Sequence, residues 1–195
     1  MPSGNKKINL ALFCSGSGTN AQKIIDFYKG NEKVSVQLIL SNNKNAYALE
    51  RATQAGIKTQ TFTRDEFYNT DKVSKDLGKE NIDWIILAGF LWLIPSYLVK
   101  SYPNKIINIH PALLPKYGGK GMYGMHVHES VVAAKEEETG ISIHYVNEKY
   151  DEGNIIFQAR CSVDKNDTPE SVALKVQSLE HLYFPKIINQ LIDAS

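Results

Sequence analysis

Apolar side chains gather along this chain in short, nearly unbroken runs, and amphipathic stretches separate the runs. Strands are predicted at Ile8 to Cys14, Val34 to Ser41, a short edge from Lys58 to Phe62, Ile82 to Ala88, and Lys105 to His110. Three of these are almost continuously apolar, as parallel strands are when helices cover both faces of their sheet. The segments between them carry helix signals: Ala46 to Ala55 ends at Gly56, a natural residue just past a helix end, and Thr63 with Glu66 spells a capping box. This alternation predicts β-α-β units. After a helix over Met125 to Lys135 the period changes to two. Ile141, Ile143 and Tyr145 alternate with Ser142, His144 and Val146, and a second extended run follows from Asn154 to Val163. These two runs predict an antiparallel pair that extends the sheet. Thr168 and Pro169 then start a long C-terminal helix, expected to kink or break before Pro185. The expectation is one α/β domain over residues 1–195, with a doubly wound, mostly parallel sheet, an antiparallel extension near the C-terminal end, and residues 1–7 flexible.

Composition narrows the function classes. Lys plus Arg number 22 against 21 Asp plus Glu, a net charge of +1. That balance lacks the broad positive field on which non-specific nucleic-acid binders rely, so no nucleic-acid partner is expected and any phosphate must be held locally. Cys14 and Cys161 lie far apart with no paired Cys or His spacing around them, which fits a reducing compartment, taken as the cytoplasm, and argues against structural zinc. The longest apolar run, Trp84 to Ile94, is much shorter than the roughly 20 residues of a membrane span, so no membrane association is expected. Lys6-Lys7 before Ile8 to Cys14 superficially imitates a signal peptide, but the apolar stretch is short and runs straight into a glycine loop with a better structural use.

Doubly wound sheets bind ligands at the carboxyl ends of their strands, and two candidate sites fall there. Cys14-Ser15-Gly16-Ser17-Gly18-Thr19-Asn20-Ala21 leaves a strand and enters a helix, where unpaired N–H groups and the helix dipole favour an anion. The glycines loosely fit a dinucleotide pattern, but the next strand ends in Ser41-Asn42-Asn43, without the acid a ribose needs. A phosphate monoester on Gly18, Thr19 and Asn20 fits better. The same residues also read as a plain strand-to-helix turn capped by Thr19 or Asn20. The second candidate is Asn108-Ile109-His110-Pro111, whose period of two puts Asn108 and His110 on one strand face, at an end that Pro111 keeps extended. An amide donor beside a titrating imidazole suits a reaction in which a carbonyl becomes an oxyanion and a proton must move, and equally suits a hydrogen-bonded strand end. Asp151, in Tyr150-Asp151-Glu152-Gly153-Asn154, is either a turn residue or a carboxylate that approaches His110 and raises its pKa.

Asn108-Ile109-His110-Pro111-Ala112-Leu113-Leu114-Pro115, followed by Tyr117 and Gly118, resembles the motif of the folate-dependent formyltransferases. The likeness runs from Ile8 to about Ile192 and takes in the Ser15 to Asn20 loop, Leu87-Ala88-Gly89-Phe90, Gly140 to His144, Asp151-Glu152-Gly153, and Val176 to His181. The resemblance implies a Rossmann-like formyltransferase fold and transfer of a formyl group from 10-formyltetrahydrofolate, a co-substrate, to the amine of 5-phosphoribosylglycinamide in purine biosynthesis. It implies no tightly bound cofactor, no metal, and a monomer or homodimer. Asn108, His110 and Asp151 would be catalytic, Asn108 and a protonated His110 stabilising the oxyanion and Asp151 supporting the imidazolium, and Gly18, Thr19 and Asn20 would hold the ribonucleotide phosphate. Gln177 and Glu180 would contact the rest of that substrate, and the pterin would sit against Leu91, Trp92, Leu93, Ile94 and the loop Asn147, Glu148, Lys149, Tyr150. Two positions depart from the pattern: Thr70 lies where some relatives have an Arg for the folate tail, and Trp92 replaces a basic residue.

Other chemistry-bearing residues have plainer readings. His126 and His128 are two apart on a helix, share no face, and are expected in solvated or capping roles. His144 either faces the site or is a satisfied strand histidine, Glu136-Glu137-Glu138 is a solvated charge run, and Trp84 and Cys14 belong to the core. Three other functions compete. A formyltetrahydrofolate hydrolase resembles the same motif but usually carries an extra N-terminal domain, where this chain has about seven residues before its first strand. A methionyl-tRNA formyltransferase adds a C-terminal RNA-contacting domain for which the chain has no room. A nucleotide-binding module would leave Asn108, His110 and Asp151 without a joint purpose.

Overall fold

The computed structural model describes residues 7–195; the expected flexible start lies, Lys7 apart, outside the described residues. The chain divides into two compact units, one running to Ile106 and one from Ile107 to Ser195. The first contains β1 (Ile8–Cys14), α1 (Thr19–Tyr28), β2 (Val34–Ser41), α2 (Tyr47–Gln54), β3 (Lys58–Thr61), α3 (Arg64–Asn69), α4 (Lys72–Lys79), β4 (Trp84–Leu87) and α5 (Ser96–Ser101). β1 pairs in parallel with β2 and with β4, and β2 pairs in parallel with β3. Leu10 to Cys14, Leu38 to Leu40, Ile85 and Ile86 are almost fully excluded from water, which is why these strands read as unbroken apolar runs. α1 buries Ala21, Ile24, Ile25 and Tyr28, the i, i+3, i+4, i+7 stripe of a helix lying on a sheet. α3 opens on the expected capping box, Glu66 N–H donating to Thr63 Oγ1 (3.2 Å) and Thr63 N–H to Glu66 Oε2 (2.7 Å). Gly56 takes the left-handed conformation (φ +71°) that ends α2.

The second unit takes up β5 (Ile106–His110), α6 (Met125–Ala133), β6 (Glu138–Tyr145), β7 (Ile155–Ser162) and α7 (Pro169–Asp193). β5 pairs with β6 and β6 with β7, both antiparallel. The α/β class, with parallel strands first and an antiparallel extension towards the C-terminal end, is thus as the pattern predicted. β6 and β7 run so close at Gly140 that a Cβ there would lie 1.9 Å from the Ala159 carbonyl oxygen. α7 starts as expected, with Thr168 capping and Pro169 in the first turn, but of the kink or break expected before Pro185 the break does not occur, and the helix continues to Asp193. An interior proline costs a helix about 3 kcal/mol. Phe184, Ile187, Ile188 and Ile192 are all buried around it, each worth about 1.5–3 kcal/mol, so packing outweighs the lost backbone bond. Among the described residues no helix is long and apolar enough to cross a membrane.

Candidate active site

β5 places Asn108 and His110 on one face, and its antiparallel register sets His144 of β6 opposite Asn108 and Ser142 opposite His110. Ser142 is an anchor: its hydroxyl donates to the Ala112 carbonyl (2.7 Å) and accepts from Leu114 N–H (2.9 Å), fixing the chain just past His110. Asp151 arrives from the loop between β6 and β7 in a left-handed conformation (φ +54°). That turn passes so near Tyr145 that a Cβ on Gly153 would lie 1.6 Å from its carbonyl oxygen, which explains the Asp-x-Gly sequence.

The carboxylate of Asp151 gathers the others. Oδ2 accepts from Gly119 N–H (2.9 Å) and lies 3.5 Å from His110 Nδ1. Oδ1 accepts from Asn108 Nδ2 (3.4 Å) and lies 3.5 Å from His144 Nε2. His110 Nε2 sits 2.7 Å from the Tyr117 carbonyl oxygen, which fixes a proton on Nε2 and leaves Nδ1 of the neutral ring bare towards Asp151. His144 Nδ1 likewise faces the Tyr145 carbonyl (2.9 Å), and its Nε2 sits 3.1 Å from Asn108 Nδ2.

Burial decides the protonation of this cluster. His110 is 3% exposed, and desolvation pushes its pKa below the usual histidine value. Asp151 and the Tyr117 carbonyl act in the opposite direction, the second of the two readings left open for Asp151, but they are outweighed, and His144 adds to the lowering. Burial alone would raise the Asp151 carboxyl, yet His144, the charge of His110 and Gly119 N–H together hold it below the usual carboxylate value. At neutral pH the pair is therefore an ionised carboxylate beside a neutral imidazole, not the protonated His110 that was expected, because burial outweighs the carboxylate; the arrangement is ready to receive a proton.

Of the two readings left open for His144, the structure selects the one facing this cluster; strand register decided it, and no local signal carries register. The Tyr117 carbonyl and Gly119 N–H are backbone groups with no residue-type signature. His126 is exposed, as expected, and pairs with Glu129 (3.2 Å), whereas His128 is 6% exposed and so is not solvated, contrary to one of the two roles, solvated or capping, expected for it. α6 turns it inwards, and burial followed by the charge of His110 lowers its pKa. Among the described residues no group of three or more His, Cys, Asp or Glu side chains is arranged to hold a metal ion. The Cys14 thiol is fully buried and pushed up to about 12, so it is no nucleophile.

In the first unit the connection from β1 to α1 lies where it was predicted, with Thr19 and Asn20 of the Ser15–Asn20 loop already the first two residues of α1. Gly18 is the residue before the helix, left-handed (φ +71°), and no side chain caps α1. Its Cβ would stand 2.6 Å from that of Ala48. Ser15 ties this loop to the predicted pterin segment: its hydroxyl donates to Asn42 Oδ1 (2.7 Å) and accepts from Leu91 N–H (3.1 Å). Along that segment Leu91 is exposed, Trp92 and Leu93 half-buried and Ile94 buried. Thr70 is occupied with the end of α3, donating to the Glu66 carbonyl (2.8 Å). A cation that the sequence did not single out lies nearby: the Arg64 guanidinium is 5.2 Å from the Tyr68 ring and 5.6 Å from the Trp92 ring, so positive charge stands beside residue 92 after all. In the second unit, Asn147 and Tyr150 are half-buried in the loop that delivers Asp151, Glu148 and Lys149 are exposed, and Gln177 and Glu180 are half-buried on α7.

The formyl transferase family model matches residues 8–188. A protein of Escherichia coli (strain K12) named phosphoribosylglycinamide formyltransferase is 36% identical over 191 residues, 95% of this chain and 88% of its own. The chloroplastic protein of that name from Arabidopsis thaliana is 38% identical over 194 residues, of which the chain spans 66% of the length. A crystal structure of phosphoribosylglycinamide formyltransferase from Bacillus halodurans superposes with a TM-score of 0.84 at 33% identity, over 94% of this chain and 95% of that one.

Proposed function

The chain belongs to the formyl transferase family, and on that premise we propose that it transfers the formyl group of 10-formyltetrahydrofolate to the amine of 5-phosphoribosylglycinamide in purine biosynthesis. The observation that carries the chemistry is the convergence of Asn108, His110 and Asp151 within 3.5 Å contacts. The amine nitrogen attacks the formyl carbon, and the carbonyl oxygen becomes an oxyanion. Asn108 Nδ2 meets this charge by turning the N–H that it gives Asp151 at 3.4 Å towards the oxyanion. The attacking nitrogen becomes cationic and gives its proton to the bare Nδ1 of His110. The imidazolium so formed lies between two acceptors, Asp151 Oδ2 and the Tyr117 carbonyl, which hold it without a covalent intermediate. Collapse of the tetrahedral species breaks the bond to the folate nitrogen, which takes that proton back and leaves as tetrahydrofolate.

Gly18, Thr19 and Asn20 take the acceptor's phosphate, and Gln177 and Glu180 its remaining polar groups. The pterin lies against Leu91 to Ile94 and the Asn147 to Tyr150 loop, with Arg64 the cation offered to the folate's carboxylates. Both cysteines are unpaired, which supports a reducing compartment such as the cytoplasm. The test is incubation with 10-formyltetrahydrofolate with and without the amine. Formyl loss that requires the amine and yields formylated product supports transfer. Equal loss without it would identify a hydrolase.

A further inference from the structure

Three consecutive carbonyls of the Ser15–Asn20 loop are engaged from the segment that leaves β2 and enters α2. Asn43 Nδ2 donates to the Ser15 carbonyl (3.3 Å), Ala48 N–H to that of Gly16 (3.1 Å), and Arg51 Nε to that of Ser17 (2.9 Å). In a planar trans peptide the carbonyl of one residue and the N–H of the next point in opposite directions. Holding these three carbonyls therefore turns the N–H groups of Gly16, Ser17 and Gly18 away from α2. Each donor has its own reason to be there. Ala48 is the second residue of α2, whose start has no side-chain cap, so the Gly16 carbonyl satisfies one of its orphan N–H groups. Asn43 sits two residues past β2. Arg51 is held three ways: by Ser17, by Gln22 Oε1 (3.4 Å), and by the Tyr47 ring 4.8 Å beneath its guanidinium.

We propose that Arg51, assisted by Asn43, is a positioning residue for the acceptor's phosphate: it fixes the Ser17–Gly18 peptide so that Gly18 N–H presents to the anion. The guanidinium reaches the phosphate through this peptide, not by contact. A charged donor on the Ser17 carbonyl polarises the peptide and strengthens Gly18 N–H as a donor in turn. Lysine supplies the charge but not the planar fork that spans Ser17 and Gln22. The inference rests on the reading of this loop as the phosphate site, and the experiment separates the two.

Arg51→Met, Arg51→Lys, Asn43→Ala and Gly18→Val are compared by steady-state kinetics, with inorganic phosphate as a competitive inhibitor against the acceptor. Arg51→Met should raise the acceptor KM and the phosphate Ki together by about tenfold, with kcat and donor KM within twofold. Arg51→Lys should recover only part of this, and Asn43→Ala should move the same two constants less. If Gly18→Val raises both constants while Arg51→Met and Asn43→Ala leave them within twofold, the positioning role is wrong and the phosphate site stands. If none of the variants moves either constant, the phosphate site itself is wrong. Parallel losses of acceptor affinity, donor affinity and kcat in Arg51→Met, with a lowered Tm, would make Arg51 a structural residue and overturn the proposal.

Discussion

The Ser15–Asn20 loop and the Asn108–His110–Asp151 cluster are both built at strand ends, but from different materials. The loop is a backbone device: glycine permits its conformation, and donors from Asn43, Ala48 and Arg51 set the direction of its peptides. The cluster is a side-chain device, in which an amide, an imidazole and a carboxylate occupy one another's hydrogen-bonding positions and burial sets their protonation. An anion that keeps its charge throughout needs only fixed dipoles. A reaction that creates charge and moves a proton needs groups that change state. Substitutions should therefore act differently: on turnover at the cluster, on acceptor affinity at the loop.

The largest effect belongs to the cluster. Asn108→Ala should lower kcat by at least about 10²- to 10³-fold, the loss typical of one oxyanion donor, and His110→Ala by about 10²- to 10⁴-fold, the usual worth of a general base, while donor KM changes little. The double variant should lose less than the product of the two, since they act as a unit. Steady-state kinetics with both substrates measures this. More than about a tenth of normal kcat in His110→Ala would break the mechanism.

Asp151→Asn comes next and tests the protonation argument. Asp151 raises the His110 pKa against the dominant pull of burial, so its removal should lower that pKa further. His110 accepts a proton only when neutral. The acidic limb of the kcat–pH profile should accordingly move to lower pH in the variant, while kcat falls at every pH. A limb displaced to higher pH would reverse the assigned sign.

At the loop, Gly18→Val should raise acceptor KM at least about tenfold, a change of 1.4 kcal/mol, and leave donor KM nearly unaltered. It meets both a left-handed backbone and the Ala48 side chain, so about 1–3 kcal/mol of stability should go with it, readable by denaturant unfolding. The smallest effect sharpens the contrast. Thr19→Ala removes a side chain from a site made of backbone and should raise acceptor KM less than tenfold, about the worth of one ordinary hydrogen bond. A larger loss in Thr19→Ala than in Gly18→Val would make the loop a side-chain site like the cluster.

The sequence was most informative where a signal is local. The strand runs, the Thr63–Glu66 box, the Thr168–Pro169 start and the Asn108–His110 alternation each depend on residues a few positions apart, and each appears in the structure where it was expected. The composition also argued against large classes of function before any element was placed, because charge balance and run length are read without knowing the fold. What the residues alone left open was whether Asp151 is a turn residue or a partner of His110 and which way His144 faces, and where they allowed a break before Pro185 the helix continues. Each answer depends on groups distant in sequence: β5–β6 register for His144, the approach of the β6–β7 loop for Asp151, and the buried apolar side chains around Pro185. Only the tertiary structure decided the protonation of His110. An imidazole beside a carboxylate favours the charged form on chemistry alone, and the low-dielectric surroundings that reverse this exist only once the chain has closed around it.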